Sequence, residues 1–151
     1  MDLKRFFVAV LAIFFFAITW NGLVHMVILK EASLALEKVA RPAAERNMAL
    51  GLLLTFGVAA LFVYSYAFFV HTPGIKRALG HGVFFAVMAG LLVDLNQFFL
   101  YPVPGSLAAA WFLFGFIEFC VYGVLVSWLY PVAAQPSAPE GRFAGKPAAH
   151  P

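Results

Sequence analysis

Charge is scarce in this sequence. Seven acidic residues and ten Lys or Arg make up 11% of 151 residues, where a soluble domain averages about 25%. With 64% hydrophobic residues, a water-soluble fold of this length could not hide its apolar surface in one core. A soluble enzyme and a disordered regulator are thereby excluded. Cysteine is nearly absent as well. The lone Cys120 excludes a disulfide-stapled secreted module, and it excludes a quinone-linked thiol oxidase, which needs a resolving partner. The net charge of +3 comes from scattered positions, including Lys4, Arg5, Lys30, Lys38, Arg41, Arg46, Lys76 and Arg77. Scattering of that kind orients helices in a bilayer and is no nucleic-acid footprint. No Gly-rich phosphate loop, nucleophile elbow or paired-histidine zinc motif occurs.

What the chain does have is long apolar runs. Four of them exceed the roughly 20 residues needed to cross a hydrocarbon layer: about 6–29, 47–70, 79–101 and 106–130. The first follows Met1-Asp2-Leu3-Lys4-Arg5 and resembles a signal peptide, but it is too long and lacks a small-x-small cleavage site, so it reads as a retained span. Pro73-Gly74 and Pro102-Val103-Pro104-Gly105 punctuate the later spans. The expected fold is an all-α, four-transmembrane-helix bundle over residues 1–130. A disordered Pro/Ala-rich tail is expected over 131–151, which carries five of the nine prolines. Within Lys30–Ala40, Leu34, Leu36 and Val39 recur at helical spacing, which suits a short amphipathic helix on the outer surface as well as it suits a solvated connector. Pro42 stands where a new helix could begin.

Counting Lys and Arg in the flanks puts six on the side of the termini and four on the other. Both termini are therefore expected in the cytoplasm, and the absence of a mitochondrial-type Arg/Ser-rich leader agrees with spans in a bacterial inner membrane. A weak two-plus-two repeat is visible, Trp20-Asn21 against Val93-Asp94 and Phe62-Val63-Tyr64 against Cys120-Val121-Tyr122.

Ionisable groups within a bilayer are costly and mark function by default. Here they are His25, Asp94 and Glu118, joined by Asn21, Thr55, Asn96 and Gln97. At about 1.5 Å per residue, Asn21 and Asp94 fall about 22 Å from one membrane face and Glu118 about 18 Å, a nearly common depth. Asn21 and His25 share a helix face, as do Asp94 and Gln97, and Glu118 and Tyr122. These six residues form the candidate polar pocket, with Asp94 and Glu118 as proton or cation acceptors and His25 as a shuttle or gate. The competing reading is interhelical hydrogen bonding alone, at about 0.6–2 kcal/mol per bond. Arg46 could snorkel inward to pair with one carboxylate.

Span three also carries Ala78, Gly82, Ala86, Gly90 and Asp94 at strict four-residue intervals, a stripe expected to deliver Asp94 into a tight helix–helix contact. That pattern lets another backbone approach closely and makes Gly82, Ala86 and Gly90 a helix-packing face. Gly51, Thr55 and Ala59 are a shorter version in span two. A haem between His71 and His81 is disfavoured, because both would sit at the water boundary beside Lys76 and Arg77. One histidine and two carboxylates match no strong metal signature. The aromatic residues, 17% with 18 Phe, read as lipid-facing filler plus an interface belt of Tyr101, Trp111, Trp128 and Tyr130. No cofactor and no catalytic residue are predicted.

The pattern Trp20-Asn21-Gly22, His25, Leu29, then Arg41-Pro42, Met48, Phe62-Val63-Tyr64-Ser65-Tyr66, and finally Trp111, Glu118, Gly123 and Tyr130 resembles small four-span bacterial membrane proteins of no assigned activity. The resemblance spans about residues 5–130 and implies the same four-span architecture. That group often has an Asp before the first-span His and a Trp before the Arg-Pro, where this chain has Asn21 and Ala40. The leading expectation is a non-enzymatic accessory or interaction subunit, packing through Gly/Ala faces against a membrane partner or a second copy. The alternative is a small carrier or sensor using Asn21, His25, Asp94 and Glu118. A lipid or quinone enzyme ranks third, for want of a nucleophile or cofactor motif.

Overall fold

A computed structural model describes residues 2–34 and 40–132 of the chain. Among them there is no strand, and four helices are long and apolar enough to cross a membrane: α1 (Leu3–Ile28), α2 (Met48–Phe69), α3 (Ile75–Leu100) and α4 (Gly105–Leu129). The all-α four-helix bundle is the fold. The helices begin where local chemistry favours a start. The Asp2 carboxylate accepts from Arg5 N (3.1 Å), and the Asn47 side chain accepts from Leu50 N (3.0 Å), each satisfying a free first-turn donor. Gly74, at φ +129°, makes the turn into α3 that an L side chain resists. The second span thus starts at Asn47 and not at Pro42, whose carbonyl accepts from Glu45 N in a short 3-10 turn (Ala43–Glu45). Of the expected surface helix, one turn forms at Lys30–Ser33. Residues 35–39 of that segment, and 133–151 of the expected disordered tail, lie outside the described residues.

Helix α4 is the hub. It packs along α3 and against α1, while α2 packs mainly on α1. The tightest seam is α3 on α4, made by the small-residue stripe: Ala78, Gly82, Ala86 and Gly90 are all buried. A methyl group at Gly82 would strike the Phe119 carbonyl, one at Gly90 the Phe112 ring, and one at Gly123 the Ala78 carbonyl (2.6 Å). The packing face read from the sequence is therefore filled by the chain's own fourth helix. The shorter stripe in α2 does not act as one. Gly51 meets nothing within 4 Å, and Thr55 returns its hydroxyl to the Gly51 carbonyl (3.1 Å).

The core sits toward the end of the bundle that carries the termini. Val10, Ile13, Phe62, Val63, Tyr66 and Val126 are fully buried there, and Tyr122 nearly so. Every buried residue of α2 lies in its second half, from Ala59 on. At the opposite end, the loop side, no residue of α2 is fully buried, and α1 and α3 are joined chiefly through α4. The bundle is closed on the terminus side and opens on the loop side. Only 11% of the most apolar window of α3 is buried within the chain, so its other faces are left for an apolar solvent.

The contacts of Gly82 with Phe119 and of Gly90 with Phe112 also fix the register of the α3–α4 hairpin. Glu118 lies opposite residues 82–83, whereas Asp94 lies beyond Gly90 near the Tyr101–Pro104 turn. Eleven or so residues at 1.5 Å separate their levels by about 15 Å along the axis. Of the common depth expected for three residues, Asn21 and Glu118 keep it, bonded to each other, and Asp94 does not. Measuring each span from its own terminus-side end ignores that α4 runs past α3 there. In so tight a hairpin, positions pair by their distance from the turn.

Candidate functional site

One cavity of about 320 Å³ occupies the loop-side opening between α1 and α3, with α4 as its back wall. Helix α1 contributes Trp20, Asn21, Val24 and His25, and α3 contributes Ala89, Val93, Asp94 and Gln97. Trp111, Phe114, Gly115, Glu118 and Phe119 come from α4. The sequence-selected residues Asn21, His25, Asp94, Gln97 and Glu118 thus line a single space. Tyr122 stands behind it, bonded to Glu118. Asn96 is exposed and Thr55 is on α2, so neither reaches it.

Two local departures from α-helix build the site. Val24–Ile28 and Gly90–Asp94 are π-helical turns, a form that clusters at functional sites. In α3 the consequence can be followed. A four-residue step overshoots a 3.6-residue turn by about 40°, so a stripe of fours winds around its helix. The wider π turn takes back part of that drift and brings Asp94 round to the cavity. Gly90 and the residues before it stay on the α4 seam. Nothing in the periodicity of the sequence announces either π turn.

Glu118 is the deepest polar group. Its Oε1 accepts from Asn21 Nδ2 (2.9 Å) and from the Tyr122 hydroxyl (2.5 Å). Asn21 also donates to the Ala17 carbonyl (2.9 Å), which fixes its amide. Oε2 has no hydrogen-bond partner among the described residues. It is not sealed off either, for the Trp111 Nε1 is the one enclosed and unpartnered side-chain N or O atom among them. Glu118 lines the cavity, and Oε2 is its carboxyl oxygen left without a bond among the described residues. Beneath it, the rings of Phe16, Phe62 and Phe119 pack around Tyr122 and close the floor. His25 and then Asp94 follow toward the mouth, and no described residue bonds the Asp94 carboxylate. Among the described residues no Lys or Arg lines the space. The site is therefore two carboxyl groups, one histidine and aromatic walls in a low-dielectric setting, where an unmatched charge is expensive.

Several expectations are corrected here. Arg46 does not reach in: its Nε donates to the Arg41 carbonyl (2.8 Å) on the surface. Trp111, expected in the interface belt, is a wall of the cavity, as is Trp20, whose Nε1 donates to the Phe114 carbonyl (3.2 Å). His81 is not a boundary residue facing His71. It is half-buried against α2, with Nε2 3.1 Å from Ser65 Oγ and 3.3 Å from the Phe62 carbonyl, while His71 is exposed. The proposed repeat fails in the even spans, where Tyr64 is 49% exposed and its counterpart Tyr122 is buried. Among the described residues no three His, Cys, Asp or Glu side chains come close enough to hold a metal ion. No protein-family model, curated protein or solved structure matches this chain.

Proposed function

We propose that this polytopic membrane protein is a small carrier or sensor that takes up a cation in the α1–α3–α4 cavity, with Glu118 as its anchor. One observation carries the reading: a carboxylate oxygen deep in the bundle, held in place through its other oxygen by two donors from α1 and α4, with no Lys or Arg beside it among the described residues. Hydrogen bonding between helices accounts for Oε1 and leaves Oε2 unused. His25 and Asp94, nearer the mouth, form the route by which a positive charge arrives. The accessory-subunit reading rested on the Gly/Ala face, and that face is occupied by α4. The distribution of basic residues favours cytoplasmic termini, so that the cavity opens on the outer side.

Carbodiimide labelling in nanodiscs, mapped by mass spectrometry, tests the anchor. Glu118 is expected to react, and at least one member of a panel of monovalent inorganic cations and simple amines is expected to slow the reaction at fixed pH. Labelling of Glu118 that no cation slows refutes the proposal.

A further inference from the structure

We infer that the ligand is an organic ammonium ion with an apolar body, an inference that rests on the cavity reading above and narrows it. Three features point this way. The backbones of Asp94 and Glu118 lie about 15 Å apart along the axis by the α3–α4 register, more than the two side chains together span, so they do not chelate one small ion between them. Among the described residues no metal-capable cluster exists. Next, the wall between the carboxyl groups is largely aromatic and aliphatic, with Trp20, Trp111, Phe114 and Phe119 around Val24 and Val93. The ring faces of such a wall attract an alkylammonium, increasingly so as water is excluded, and do nothing comparable for a hydrated inorganic ion. Last, the volume of about 320 Å³ is within the range of small-molecule pockets and far beyond one dehydrated metal ion. Part of that volume exists because Gly115 has no side chain: a methyl group there would meet nothing within 4 Å. The ammonium sits at Glu118 Oε2 and the apolar body lies along Gly115 between the two indoles.

The indoles also report occupancy. Trp20 and Trp111 line the cavity, and the third tryptophan, Trp128, is 72% exposed at the other end, so a Trp128→Phe background leaves emission from the site alone. Benzyltrimethylammonium is expected to change that emission saturably and to slow carbodiimide labelling of Glu118. Its uncharged isostere neopentylbenzene, sodium and potassium are expected to do neither. Glu118→Gln, which keeps an acceptor for Asn21 and Tyr122, and Gly115→Val, which fills the space without touching charge, are each expected to weaken binding at least about tenfold. Protection of Glu118 by sodium or potassium but not by the ammonium overturns the inference and leaves the cavity reading standing. Absence of protection by any cation removes both. Binding to Gly115→Val equal to wild type shows that the body lies elsewhere and overturns the inference as well.

Discussion

The depth of Glu118 depends on how α3 seats on α4, and Gly82→Ala tests that seating directly. The added methyl group would meet the carbonyl oxygen of Phe119 and lie 3.1 Å from its carbonyl carbon. Both are backbone atoms of a packed helix and cannot swing aside. Overpacking of this kind costs about 1–3 kcal/mol. Against it stands the gain of about 0.5–1 kcal/mol from replacing a helical glycine by alanine. Gly80→Ala is the matched control two residues away, since its methyl group would meet nothing within 4 Å and only the gain remains. The difference between the two variants isolates the steric cost, about 1–3 kcal/mol. Reversible unfolding in mixed micelles, followed by far-ultraviolet circular dichroism, is the assay. Gly80→Ala should equal or exceed wild type, and Gly82→Ala should fall below it. Equal stability of the two variants refutes the register of residue 82 on residue 119, and the 15 Å separation of Asp94 from Glu118 falls with it.

Further tests probe the cavity walls and the order of its charges. Trp20→Phe breaks the Trp20–Phe114 hydrogen bond, whereas Trp111→Phe removes an enclosed N–H that has no acceptor; unfolding should therefore show Trp20→Phe to be the more destabilising by about 1 kcal/mol, and the reverse order would refute the assignment. Asp94 lies near the mouth, so Asp94→Asn should slow stopped-flow association of a cationic probe more than it speeds dissociation, since exposed charges steer encounter. An unchanged association rate would deny it that place on the route. Protons and cations compete for Glu118 Oε2, so binding of the ammonium probe should weaken as pH falls, and this dependence should vanish in Glu118→Gln. A profile that is flat in the wild type contradicts Glu118 as anchor.

The number of spans was legible in the sequence because it depends on quantities local to the chain: run length, apolar content, and the proline and glycine that interrupt them. The same locality made Gly82, Ala86 and Gly90 readable as one face, and made Asn21, His25, Asp94 and Glu118 stand out from apolar surroundings. Locality also marks where that reading stops. Which helix fills the glycine face depends on the tight hairpin that folds α4 back onto α3. The depths of Asp94 and Glu118 depend on the offset between those two helices, which no count along either span contains. Trp111 belongs to the site rather than to the interface, and His81 to Ser65 rather than to His71, because helix rotation decides which side of a span meets protein. In so uniformly apolar a chain, hydrophobicity cannot tell a lipid-facing side from a buried one, and only the packed backbone makes that distinction.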